Sequence, residues 1–172
     1  MSAVLELAPP APLDAADDVL VFRLCPADGP LVAEAVRGLS AQSLYLRFGR
    51  PVAPAALDLR WIDALDGPIH VAFGALERAT GRPLGVARYA RDSALAPDAE
   101  LAAAVVDAWQ GRGVGPLMVG RLAAYARAAG IETLHASVLA GNRPALALMR
   151  GLGARPVAIS RGTVELAADL RP

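Results

Sequence analysis

The feature that most constrains this chain is Gln110-Gly111-Arg112-Gly113-Val114-Gly115. Three alternating glycines stand between an apolar run, AELAAAVVDAW, and a helical repeat, PLMVGRLAAYARAAG. A helix N-terminus leaves its first N–H groups without intrahelical acceptors and carries roughly half a positive charge. Glycines ahead of it let the backbone curl until those donors converge, and let a ligand approach closely. Arg112 adds a fixed positive charge at the same place. The pattern points to a bound anion, most often a phosphate, although a strand-helix turn that only needs tight packing stays open on these residues alone.

Known phosphate loops are excluded one by one. The dinucleotide pattern G-x-G-x-x-G fails, because the last position is Pro116 counted from Gly111 and Met118 counted from Gly113. A Walker-type loop and a Schiff-base cofactor both need lysine, and all 17 basic residues are arginine. Net charge is zero, which removes any general attraction to nucleic acid or an anionic membrane. The single cysteine, Cys25, excludes an internal disulfide and a cysteine-rich metal site and suits a reducing cytoplasm. The N-terminal stretch lacks the basic and apolar regions of a secretory signal, and no run of about 18 apolar residues is present to span a bilayer.

With 172 residues, 55% of them hydrophobic, one domain with a sizeable core is expected. Residues 1–18, rich in alanine and proline, read as a mobile tail, and residues 19–172 as a single domain. VLVFRL is a first strand, Pro26 and Asp28 open a helix to Leu39, and SAQSLYLRFG forms a short helix. Residues 56–67 place Leu57, Trp61 and Leu65 at helical spacing. HVAFGALE and PLGVARYAR form a hairpin through Gly81, and Glu100–Asp107 is a strand. A helix follows from Val114 to Ala129, then the strand LHASVL, then a helix capped by Asn142, then two short strands near 155–159 and 163–168. The class is α/β in the broad sense, or α+β.

Strand, Q-G-R-G-V-G and amphipathic helix together resemble the acyl-CoA-binding motif Q/R-x-x-G-x-G/A of the GNAT superfamily of N-acyltransferases, on Gln110, Gly113 and Gly115. HASVLAGNRPALALMRGLGA resembles the second half of that signature. SAQSLYLRFG, GVARYAR and the Ala99-Glu100 pair ten residues ahead of the glutamine are similar to the Pat-type protein lysine acetyltransferases.

The resemblance implies a mostly antiparallel twisted sheet, flanked by helices, in which two parallel strands splay apart. It implies acetyl-CoA as co-substrate, without metal. The pyrophosphate would sit on Gln110, Gly111, Arg112, Gly113, Val114 and Gly115, and the pantetheine along the backbone of Ala104, Val105 and Val106. A backbone N–H near Val106 would hold the developing oxyanion. Asn142 would face the cofactor, although asparagine is a favoured cap on any helix. Glu100 would be the general base for direct attack of a primary amine. Tyr45, Arg47 and Phe48 would border the acceptor, or simply pack as a helical face. The slot where many members carry a tyrosine acid holds Met149. The acceptor is a protein lysine by the Pat-type resemblance; a small-molecule amine, or a non-catalytic acyl-CoA sensor, are the competing readings. A homodimer is admitted and no nucleic acid or membrane partner is expected. His70, His135 and Cys25 read as structural, Cys25 as a buried thiol.

Overall fold

The computed structural model describes residues 15–65 and 67–171. The tail expected over 1–18 therefore lies mostly outside the described residues, and its last four form a helical turn, α1 (Ala15–Asp18). Arg78 holds that turn, its Nε donating to the Asp17 carbonyl at 2.9 Å and its backbone N–H to Asp18 at 2.8 Å.

Seven strands form one sheet in the order β1-β2-β3-β4-β5-β7-β6. They are β1 (Val19–Arg23), β2 (His70–Glu77), β3 (Pro83–Ala90), β4 (Asp98–Val105), β5 (Thr133–Leu139), β6 (Arg155–Ser160) and β7 (Thr163–Asp169). Every neighbouring pair is antiparallel except β4 and β5. That parallel ladder covers only Asp98–Glu100 against Thr133–His135, so the two strands part while β4 continues to Val105 and β5 to Leu139. The mixed, mostly antiparallel sheet with a splayed pair is thus observed.

Helices cover both faces: α2 (Gly29–Arg37), α3 (Ala41–Phe48), α4 (Val114–Ala128) and α5 (Arg143–Gly151). On one face Met118, Val119 and Leu122 of α4 join Val71, Tyr89, Leu101 and Leu134 in the larger core. On the other, Val32 of α2 packs with Leu24, Ile62, Leu65 and Ala72, and Val86 lies against them. None of the described helices is long and apolar enough to cross a membrane.

Three boundaries differ from expectation, each for a local reason. The helix expected over 56–67 is two 3₁₀ turns, Pro54–Ala56 and Arg60–Ala64. Asp58 Oδ1 accepts from the Arg60 N–H at 3.0 Å, a side-chain bond that competes with the helical ladder. The helix expected from Pro26 begins as a 3₁₀ turn (Pro26–Asp28) before α2. β4 ends at Val105, because Asp107–Trp109 winds into another 3₁₀ turn. Gly38 lets the end of α2 lie against that turn: a Cβ there would come within 2.8 Å of Val106 Cγ1.

Candidate functional site

The glycine turn has the geometry that its sequence demands. Gly111 (φ 72°) and Gly113 (φ 83°) are left-handed, a region costly to residues with a Cβ. Gly113 is the N-cap of α4, and no side chain caps the helix. The Leu117 N–H reaches the Gly113 carbonyl at 3.2 Å, and Pro116 has no N–H. Among the described residues, no loop or turn carbonyl accepts from the amides of Gly111 through Gly115. The Arg112 guanidinium lies 5.2 Å from the Trp109 ring centre, which restrains the cation beside these donors.

Gln110 works differently from its neighbours. Its Nε2 donates to the Val105 carbonyl at 3.0 Å and to Ser43 Oγ at 3.1 Å. Ser40 caps α3 through the Ser43 N–H, and the Ser40 N–H donates to Asp107 Oδ1 at 3.0 Å. Burial works against the charge of Asp107, but hydrogen bonds from Ser40 and Ser43 outweigh it and hold the carboxyl below its usual range. Together these bonds latch α3 to the end of β4 and to the glycine turn. Ser40 and Ser43 stand within SAQSLYLRFG, and their cap spacing was the available signal for this role.

The backbone of β4 can be accounted for group by group. The Val106 N–H donates to the Leu84 carbonyl at 2.9 Å, so it is committed to β3 and cannot serve as the oxyanion donor expected there. Antiparallel alternation then turns the backbone of Ala102 and Ala104 toward β3 as well. Ala103 and Val105 face the side that β5 has left. Of the three residues expected to pair with a ligand, Val105 alone points its backbone into the gap, and its carbonyl is taken by Gln110. Ala103, which was not singled out, completes the set.

A cleft of about 580 Å³ opens at this gap. Leu101–Val105 of β4, Gln110, Gly111, Gly113, Gly115 and Pro116, and Ala136–Val138 of β5 line it, with Asn142, Leu148 and Met149 closing the far side. Asn142 caps α5 by accepting from the Ala145 N–H at 3.2 Å, and its Nδ2 donates to the Leu46 carbonyl at 3.3 Å. A Cβ on Gly115 would lie 3.6 Å from both Leu148 methyls, so glycine there widens the cleft rather than relieving a clash. Met149 is buried and offers no proton.

A second cavity of about 280 Å³ shares Leu39, Arg47 and Ala102–Ala104 with the first, so the two meet at β4. Phe48, Arg50, Leu57, Asp58, Trp61, Val86 and Arg88 are among its other walls. Arg47 and Phe48 border this cavity, whereas Tyr45, 43% exposed, lines neither. Glu100 is exposed, on the same face of β4 as Ala102 and Ala104, and lines neither cavity. Its charge reaches both arginines. Burial, then repulsion from Arg88, lowers the pKa of Arg47, and Glu100 opposes that shift; burial lowers that of Arg88, again opposed by Glu100. Arg88 and Trp61 escaped sequence reasoning, since the chain brings them together only through folding.

The other candidates stay apart from this site. His135 Nε2 stands 3.9 Å from Asp98 Oδ1, both well exposed, and His70 Nδ1 is buried without a partner. Cys25 is exposed rather than buried, because it starts the turn after β1 where Leu24 takes the core position. No group of three potential metal ligands occurs among the described residues.

A model of the acetyltransferase (GNAT) family matches residues 37–154. The acetyltransferase Pat of Mycolicibacterium smegmatis is 32% identical over 133 residues, which are 77% of this chain; the chain spans 40% of the length of that relative. Among solved structures, the GNAT domain of S. lividans PAT superposes with a TM-score of 0.76 at 29% identity, over 87% of this chain and 89% of that one. A cAMP-binding acyltransferase from Mycobacterium smegmatis gives 0.65 at 26% identity, over 95% of this chain and 47% of that one.

Proposed function

Since the chain belongs to the GNAT family of acetyltransferases, which use acetyl-CoA, we propose that it acetylates a primary amine with Glu100 as general base and the glycine turn as the pyrophosphate cradle. One observation carries this reading. The free amides at the start of α4, the backbone of Ala103 and the N–H of Val105 open onto the same cleft, a fit for a long ligand with an anionic end and an amide-bearing arm. Acetyl-CoA supplies the activated acetyl group, which passes to the amine as the carbon-sulfur bond breaks.

The chain's own residues supply orientation and proton handling. An amine of lysine type has a pKa of about 10.4, so its neutral form costs roughly 4 kcal/mol at pH 7. Glu100 is an exposed carboxylate two residues before Ala102, about 7 Å along the strand from the junction of the cavities. From there it takes the proton through an intervening water. The Val106 amide being committed, the oxyanion falls to the Ala103 or Val105 N–H. With Met149 in the acid slot, the sulfur leaves as thiolate, which a thiol pKa of about 8.5 permits.

A protein lysine is the acceptor implied by the Pat-type sequence elements. The narrow walled cavity beside Arg47 favours a second reading, a small-molecule amine. Release of the thiol from acetyl-CoA against a panel of amines and lysine peptides tests activity and acceptor together. Glu100→Gln should slow transfer by about 10²- to 10⁴-fold while acetyl-CoA still raises the melting temperature; ATP and NAD should not raise it. An acyl-CoA sensor would bind acetyl-CoA and release no thiol with any acceptor.

A further inference from the structure

The smaller cavity has an electrostatic imbalance that the acetyl donor does not use. Arg47 and Arg88 line it, both half-buried and close enough to repel one another. Arg50 is a third cation in its wall. The one carboxylate among the lining residues is Asp58, and it is spent elsewhere: Arg60 Nη2 stands 2.6 Å from its Oδ2, and Arg60 Nε bonds both of its oxygens. Glu100 influences both arginines, but no ion pair joins it to either among the described residues. Arg88 is held in place by stacking, its guanidinium 4.7 Å from the Trp61 ring centre, which leaves its in-plane donors available.

Two like charges held together at partial burial are unfavourable unless an anion serves both. A guanidinium fork is suited to an oxyanion, which it binds with two parallel hydrogen bonds. The rest of the wall is apolar, with Val32, Leu57, Leu59 and Trp61. At about 280 Å³ the cavity is below the range for drug-sized ligands and suits a molecule of amino-acid size.

We infer that the acceptor is a small, largely apolar primary amine carrying an oxyanionic group, carboxylate or phosphate, which Arg88 and Arg47 hold so that the amine projects toward Glu100 and the cleft. This rests on the acetyl-transfer reading and adds the substrate class. Arg47 lies at the junction of the two cavities and Arg88 within the smaller one, so the anion sits on the far side of the amine from the acetyl group.

The test measures binding and thiol release with matched acceptors, in the presence of coenzyme A and acetyl-CoA respectively. One arm pairs L-leucine and L-phenylalanine with their amides and their decarboxylated amines; another pairs O-phosphoethanolamine with ethanolamine; a third uses lysine peptides with and without flanking glutamates. The anionic member of at least one small-molecule arm should bind about tenfold or more tightly than its neutral partner. Arg88→Gln should erase that difference, Arg88→Lys should keep part of it, and both should retain the rise in melting temperature with acetyl-CoA, which certifies the fold. Charge-blind binding in both small-molecule arms, a preference that survives Arg88→Gln, or a neutral lysine peptide as the better acceptor would each overturn the inference. Failure of acetyl-CoA to stabilise the wild-type protein would instead sink the acetyl-transfer reading beneath it.

Discussion

The two cavities on either side of the β4 junction are built in contrasting ways. The larger is made of main chain: amides at a left-handed glycine turn, and the unpaired edge of a strand whose parallel partner has left after three residues. The smaller is made of side chains: arginines from α3 and β3, a tryptophan from a 3₁₀ turn and valines from elsewhere. A backbone-built site tolerates many side chains but few backbone changes. A side-chain-built site has the opposite sensitivity, and can alter its ligand without altering the fold. The contrast matches the proposed division between a common donor, acetyl-CoA, and a selected acceptor.

Mutations can break this contrast at graded cost. The largest effect belongs to Glu100→Gln, which should lower kcat by about 10²- to 10⁴-fold; unchanged turnover would remove the carboxylate from the mechanism. Next is Gly85→Ala, which strikes the wall between the sites. Its Cβ would lie 2.5 Å from the Ala104 carbonyl oxygen and 2.8 Å from Met118 Cε. A loss of about 1–3 kcal/mol is expected, or several degrees in melting temperature by calorimetry, and a wild-type melting curve would show that β4 yields easily. Gly113→Ala should cost about 1–2 kcal/mol for its left-handed backbone and weaken acetyl-CoA binding about tenfold, with Gly113→Asn milder. If both bind acetyl-CoA as the wild type does, the turn is not its cradle.

Smaller effects sharpen the role of the latch. Ser43→Ala removes the hydroxyl between Gln110 and Asp107 and should cost about 1 kcal/mol, with a matching rise in KM for acetyl-CoA. An unaltered KM would make the latch irrelevant to the cleft. The smallest effect is that of pH on Asp107. Its folded pKa lies below the unfolded value of about 3.9, so the stabilisation is complete above that value and is lost as pH falls through the lower folded one. Solvent exposure keeps this contribution small. Asp107→Asn should flatten the wild-type decline in melting temperature below pH 4, and an identical decline would leave the carboxylate without that part.

These differences also explain what the sequence disclosed. The glycine turn was legible because left-handed backbone at a helix start narrows the residue choice to almost one type. β2 was legible to the residue, since HVAFGALE is bounded by turn signals on both sides. The stretch 56–67 was misread, because Leu57, Trp61 and Leu65 keep helical spacing while Asp58 diverts the backbone hydrogen bonds. Cys25 was misplaced because burial depends on which of two neighbours faces inward. Arg88 stood inside GVARYAR with no role of its own. Only the packing of α2, α3 and the 3₁₀ turns on this side of the sheet makes it part of a cavity, and no local spacing encodes that meeting. The Val106 amide could not be assigned until the register of β3 against β4 was known.

The brevity of the β4–β5 ladder has a further consequence for how the molecule holds together. Strands β1–β4 and β5–β7 form two half-sheets joined edge to edge over only three residues a side, with Asn142 bridging to the Leu46 carbonyl across the opening. On the proposed reading, acetyl-CoA lying along Ala103 and the Val105 N–H would fill the missing width as a borrowed strand. What the ladder does not hold, the core does: Leu101 and Tyr89 of one half and Leu134, Leu166 and Ala168 of the other are buried in one cluster with Met118 and Leu122 of α4.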